Sequence, residues 1–356
     1  MGKFWELSMQ TRQALHRIAW QVSLSVICLA ASIAASNTAQ AGGEAGIITL
    51  RDQGHFYVGA ENSTPAENEA VQIYNQMYVG YQLPAEKQYR YPLILVHGGG
   101  GQASDWFSTP DGRDGWRDYF VAAGFDVYWV DRPGYGRSPT NSRYGELSES
   151  ANSSIINFLA NSEHWPGNSQ DPVDPGILEW LSSSPPGPYA GDDIAAEDIS
   201  KLLDRVGPAI LITHSAGAAS GWLAADRNAD KVAGIIAFEP GASNMTSSIR
   251  KGLAFEPPLT EEFTPWVDDE GCEMQPRRSP SKLVNYSDIP VHLVGSELGL
   301  IAGLPCAVKV FEQAGVNVKY TYLPDLGFMG NGHFMMAEKN NGEIAKIFID
   351  LAASIK

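Results

Sequence analysis

From residue 92 onward the chain alternates short apolar runs with longer stretches whose apolar residues recur at helical spacing. The runs are Pro92–His97 (PLILVH), Phe125–Val130 (FDVYWV), Ala209–Thr213, Val232–Phe238, Val291–Gly295 and Val318–Leu323. Their largely apolar character predicts strands of a parallel sheet covered by helices. Asp114–Ala123, Ala218–Arg227 and the stretch from Phe334 onward supply helices, and residues 46–59 form an expected antiparallel hairpin ahead of the core strands. The predicted class is an open, mostly parallel α/β sheet, in which ligands bind beyond the carboxyl ends of the strands. Two intervals break the alternation. Residues 140–190 are rich in Ser, Pro, Asn and Trp, and residues 240–285 in Pro, acids and Met. Long irregular excursions in compact domains are usually functional, so both are expected to be cap segments over the site.

A different pattern precedes this domain. Lys3, Arg12 and Arg17 lead into an apolar stretch from Ile18 to about Ala35, and Ala39-Gln40-Ala41 then gives the small-x-small pattern of signal-peptidase cleavage. Residues 1–41 are expected to be an export signal and 42–356 the mature domain, periplasmic or extracellular. An uncleaved anchor is the alternative, since about eighteen residues just span a bilayer. Gln21, several serines and the small-residue exit favour cleavage, which leaves no stable membrane insertion. Losing residues 1–41, with three basic residues and one acid, moves the formal charge from −16 to −18. So acidic a chain, with no basic patch, argues against nucleic acid as a partner. Of its three cysteines Cys28 leaves with the signal, and Cys272 and Cys306 remain as an expected disulfide in an oxidising compartment.

Three signals carry chemistry. In Leu211-Ile-Thr-His-Ser215-Ala-Gly217 a buried strand runs into a Ser flanked by small residues and then into a helix, the context of a nucleophile elbow. Thr213 stands where that pattern usually has Gly, which adds crowding. Ala216 offers a backbone N–H at the start of the helix, where the dipole favours a developing oxyanion. Upstream, His97-Gly98-Gly99-Gly100-Gly101 follows a buried strand, and its glycines let backbone N–H groups approach a ligand closely. Gly99 and Gly100 are therefore candidate oxyanion donors beside Ala216; a phosphate cradle would need a Lys-Ser/Thr ending in place of Gln102-Ala103. His97 is expected to shape this loop. The third signal is His333, in Gly330-Asn-Gly-His-Phe334, after the last strand and before the final helix, where the order Ser…acid…His places the base. His214, adjacent to the nucleophile, cannot easily turn its ring toward Ser215.

With these residues in place, the chain resembles the α/β-hydrolase superfamily over nearly all of residues 42–356. Asp131-Arg-Pro-Gly-Tyr-Gly-Arg-Ser138 resembles the loop after that family's fourth strand. The glycine run leading into Phe107-Ser-Thr-Pro-Asp-Gly-Arg113, the Thr-His-Ser elbow and Phe238-Glu-Pro-Gly241 resemble a bacterial esterase subgroup with a Ser–Glu–His triad. That resemblance nominates Glu239 as the acid. Glu297 is the alternative, at the position most α/β-hydrolases use, and Asp325 is a third carboxylate after a core strand.

The expected activity is hydrolysis of a carboxylic ester through an acyl-enzyme on Ser215. An amidase, lactonase or acyltransferase would use the same residues, and a catalytically silent binding protein could share the fold. No metal-ligand spacing or dinucleotide fingerprint is present, so no metal or cofactor is expected. The expected partner is a small ester, and a homodimer stays open. Trp106, Phe107, Trp165, Trp180 and Trp266 are candidates for an apolar substrate pocket.

Overall fold

Eight strands make one sheet: β1 (Leu50–Val58), β2 (Met77–Pro84), β3 (Leu93–Val96), β4 (Val127–Asp131), β5 (Ala209–His214), β6 (Val232–Phe238), β7 (Val291–Gly295) and β8 (Val318–Tyr322). Their spatial order is β1-β2-β4-β3-β5-β6-β7-β8. The first two strands and β4 pair antiparallel, and every pair from β4–β3 to β7–β8 is parallel. The expected α/β-hydrolase sheet is thus present. This is a computed structural model, and it describes residues 45–62, 70–147, 152–159, 161–241, 252–259, 266–300 and 303–356, all within the unit Glu44–Lys356. The segment 1–41, read above as a signal, lies outside the described residues.

The all-apolar strands are buried on both sides because successive side chains enter different cores. Leu211 packs with one core and Ile210 and Ile212 with the other. The first core lies beneath α4 (Asp192–Val206), α5 (Gly217–Arg227) and α6 (Leu304–Gln313); the second lies beneath α1 (Trp116–Ala122) and α7 (Asn341–Ser354).

Two expectations need revision. The opening hairpin does not lie within 46–59. That stretch gives the single strand β1, whose partner is Met77–Pro84. Gly80 interrupts the apolar pattern of β2 because the Trp129 indole fills the place its side chain would take. The final helix starts at Asn341, not Phe334; Phe334–Ala337 are buried turns filling the second core.

The two excursions behave differently. Within 140–190, α2 (Asn152–Leu159) and α3 (Pro175–Ser182) form, and Phe158 of α2 places its ring 4.8 Å from that of His333. The described part of 240–285 forms short two-stranded pairs against α5 and α6: Tyr286 donates to the Trp222 carbonyl at 2.5 Å, and the Asp226 carboxylate accepts the Ala254 N–H. Cys272 and Cys306 are bonded there, and Lys309 of α6 pairs with Asp268 at 2.7 Å.

Candidate active site

Strand β5 ends at His214, and Ser215 then takes φ +48°, a left-handed conformation that turns the chain at once into α5. Such a φ is costly for a non-glycine residue and persists only where the surroundings impose it. Close packing around the turn holds it here, and three glycines make that packing possible. A Cβ on Gly217 would be driven into the His97 carbonyl, one on Gly98 would lie 3.0 Å from Ser215 Cβ, and one on Gly241 would lie 3.3 Å from the Ala216 nitrogen. The crowding expected from Thr213 is met by a further glycine: a Cβ on Gly221 would come within 2.7 Å of the Thr213 methyl. Ser215 is left half-buried and Ala216 exposed, so the turn opens to solvent.

His333 reaches this serine from the loop after β8. The Ser215 hydroxyl lies 3.0 Å from His333 Nε2, and His333 Nδ1 faces Glu239 Oε2 at 3.5 Å. Glu239 leaves the end of β6, also with positive φ (+47°), and is fully buried. Its Oε1 accepts from the Ser296 N–H at 2.7 Å and sits 2.9 Å from the Ser296 hydroxyl, while Oε2 also accepts the Leu300 N–H. Both oxygens of this buried carboxylate thus have protein donors, which fixes the side chain in place beside the imidazole. The long 3.5 Å contact is of the kind that tightens when the imidazole charges.

The other two carboxylates lie elsewhere. Glu297 Oε2 accepts the Gly330 N–H at 2.8 Å, so it braces the loop that carries His333. Asp325 is exposed. Glu338 is a second brace: its carboxylate accepts from the Gly332 N–H at 2.7 Å and from the Asn331 amide. Burial raises its pKa above the usual carboxylate value. Neither Ser296 nor Glu338 stands out in the sequence, because no local spacing joins them to His333.

Two further histidines lie behind the site. His214 Nε2 donates to the His333 carbonyl at 3.0 Å, and its ring stacks on Phe238 at 4.6 Å. Burial and the neighbouring His333 hold its pKa well below the ordinary value, so it is a neutral strut. His97 anchors the glycine run, with Nδ1 2.8 Å from the Gly98 carbonyl. Of the aromatic pocket candidates, Trp106, Trp165 and Trp180 are buried packing residues, and Phe107 packs edge-on against Trp129. The Trp266 side chain lies outside the described residues.

A strand–elbow–helix serine, a histidine after the last strand and a buried carboxylate on one parallel sheet define a hydrolase fold, and the chain belongs to the α/β-hydrolase superfamily. Residues 91–263 match the family described as alpha/beta hydrolase fold. The fungal protein phiG of Fungal sp. (strain ATCC 74256), named a probable secreted lipase, is 31% identical over 332 residues, covering 83% of this chain and 87% of its own. Among solved structures, a bacterial esterase determined at atomic resolution superposes with a TM-score of 0.64 at 23% identity, covering 88% of this chain and 98% of its own.

Proposed function

We propose that this protein is an exported serine hydrolase that cleaves neutral carboxylic esters through an acyl-enzyme on Ser215. The observation that carries the reading is the continuous contact from the Ser215 hydroxyl through His333 to the buried Glu239. His333 takes the Ser215 proton as Oγ attacks the ester carbonyl, and Glu239 stabilises the imidazolium that results. The N–H groups of Ala216 and of Gly99–Gly100 hold the oxyanion. The proton then passes to the departing alcohol, and water releases the acid by the reverse roles. A relative named a secreted lipase and a structural neighbour that is an esterase support ester substrates.

Export fits the Cys272–Cys306 bond, the relative's description and the signal pattern of residues 1–41, with the mature chain beginning near Gly42 and working in the periplasm or outside the cell. Among the described residues no helix is long and apolar enough to cross a membrane. The first excursion, through Phe158, serves as the cap over the base.

The deciding experiment compares the wild type with Ser215→Ala on p-nitrophenyl esters of graded chain length. Turnover is expected to fall by roughly 10^5-fold, with loss of fluorophosphonate labelling and an unchanged fold. Full labelling of Ser215→Ala would overturn the assignment.

A further inference from the structure

The carbonyl of Gly98 is held by two donors. The buried guanidinium of Arg132 reaches it at 2.8 Å, and His97 Nδ1 lies at 2.8 Å. The His97 tautomer is fixed by its other nitrogen: the Arg132 backbone N–H donates to Nε2 at 3.1 Å, so the ring proton sits on Nδ1 and points at the Gly98 oxygen. Arg132 is only 5% exposed, and its guanidinium lies over the Tyr135 ring at 4.6 Å. The acid facing it, Asp192 at the start of α4, is 3.5 Å away with a side chain 43% exposed. So loose and solvated a pair compensates a buried cation poorly. The shortest contact of this charge is with one peptide oxygen.

The other end of that peptide is the Gly99 N–H. The Gly98–Gly99 bond is trans, the cis bonds among the described residues being Gly187–Pro188 and Glu256–Pro257. In a trans peptide the N–H is antiparallel to the C=O, so the Gly99 N–H points away from Arg132. The elbow is close to both residues of this peptide: a Cβ on Gly99 would stand 3.4 Å from Ala216 Cβ, and one on Gly98 3.0 Å from Ser215 Cβ.

We propose that Arg132 is a positioning residue for ester hydrolysis, anchoring the Gly98 carbonyl so that the Gly99 N–H is aimed at the oxyanion formed when Ser215 attacks. This rests on the reading of Ser215 as nucleophile and of the glycine run as oxyanion donor. Two effects act together. The anchored carbonyl leaves the glycine-rich loop without rotational freedom at this peptide, so the donor needs no reorganisation in the transition state. A positive charge at the oxygen end also polarises the amide and strengthens the hydrogen bond made by its N–H. Neither effect acts on substrate binding in the ground state, so the consequence falls on kcat.

The test compares the wild type with Arg132→Met, Arg132→Lys and Asp192→Asn. It measures hydrolysis of p-nitrophenyl butyrate, inhibition by phenylboronic acid, fluorophosphonate titration and Tm. Phenylboronic acid adds to the serine as a tetrahedral adduct whose oxygen occupies the oxyanion position. Arg132→Met is expected to lower kcat by about 10- to 100-fold with KM within about twofold, and to weaken boronate inhibition by a similar factor. Fluorophosphonate should still titrate one site per folded chain. Arg132→Lys keeps the charge and one donor, so it should recover part of both losses even if Arg132→Met folds poorly. If the arginine only pinned α4 to the glycine run, Asp192→Asn would reproduce the loss and Tm would fall with activity; that result overturns the proposal. So does an unchanged kcat, or a kcat loss without weaker boronate inhibition. A wild type that no fluorophosphonate titrates would remove the Ser215 reading itself. A titratable wild type with an indifferent Arg132→Met would remove only the role of Arg132.

Discussion

The turn at Ser215 and the loop of His333 meet at one hydrogen bond, yet they are held by opposite means. Around Ser215 the fixing force is steric: Gly98, Gly217, Gly221 and Gly241 leave no room for a side chain, and the serine is pressed into φ +48°. Around His333 the fixing force is polar. Glu297 takes the Gly330 N–H, Glu338 takes the Gly332 N–H, Leu298 donates to the Asn331 carbonyl, and His214 donates to the carbonyl of His333. A close-packed turn resists displacement in every direction, because atoms already fill the space. The His333 loop is packed as well, its histidine 2% exposed, but its bonds set direction where packing sets only volume.

The largest expected effect that separates the two comes from the carboxylates. Glu239→Gln should lower kcat by about 10^3- to 10^4-fold, since the imidazolium loses its partner. Glu297→Gln keeps an acceptor for the Gly330 N–H and should cost no more than about tenfold. Steady-state rates of both on one ester decide the point, and the reverse ranking would move the acid to Glu297.

On the steric side Gly217→Val should lose stability before it loses chemistry. Its side chain must displace the His97 carbonyl, at a cost of about 1–3 kcal/mol. A fall in Tm with activity proportional to folded protein is expected. An unchanged Tm would show that the turn gives way more easily than its packing implies.

The smallest effect is a pH dependence beneath the glycine run. Asp105 is buried, and burial, with the charge of Asp131, pushes its pKa up to about 8 from 3.8. The folded chain therefore holds a proton that the unfolded chain releases, and this group's contribution to stability declines as pH rises from about 4 to about 8. Asp105→Asn removes the titration and should raise Tm relative to wild type by more at pH 9 than at pH 5. Equal shifts at both would mean that Asp105 stays ionised in the fold.

The same contrast decides what the sequence could disclose. A sharp turn and a close backbone approach each call for small residues next to one another in the chain, so the turn at Ser215 and the run Gly98–Gly101 were legible even though the atoms they make room for are distant in sequence. His333 was legible from its place after the last strand. The polar braces join segments far apart, and only folding brings Ser296 or Glu338 to the loop they support. Glu239 falls between: position alone favoured Glu297, and a short resemblance tipped the choice toward the carboxylate that the structure sets beside His333. In the fold, β2 was missed because Gly80 makes way for Trp129, and the helix at Asn341 was placed too early because a buried turn is as apolar as a helix face.

The left-handed backbone at Ser215 has a bearing on descent. At φ +48° glycine is the residue that fits without strain, and holding a serine there costs about 1–3 kcal/mol. In a lineage where selection for turnover lapses, replacing this serine by glycine relieves strain and leaves the sheet, the braces and the disulfide untouched. Drift away from catalysis would then run downhill in stability, and the fold would outlast its chemistry.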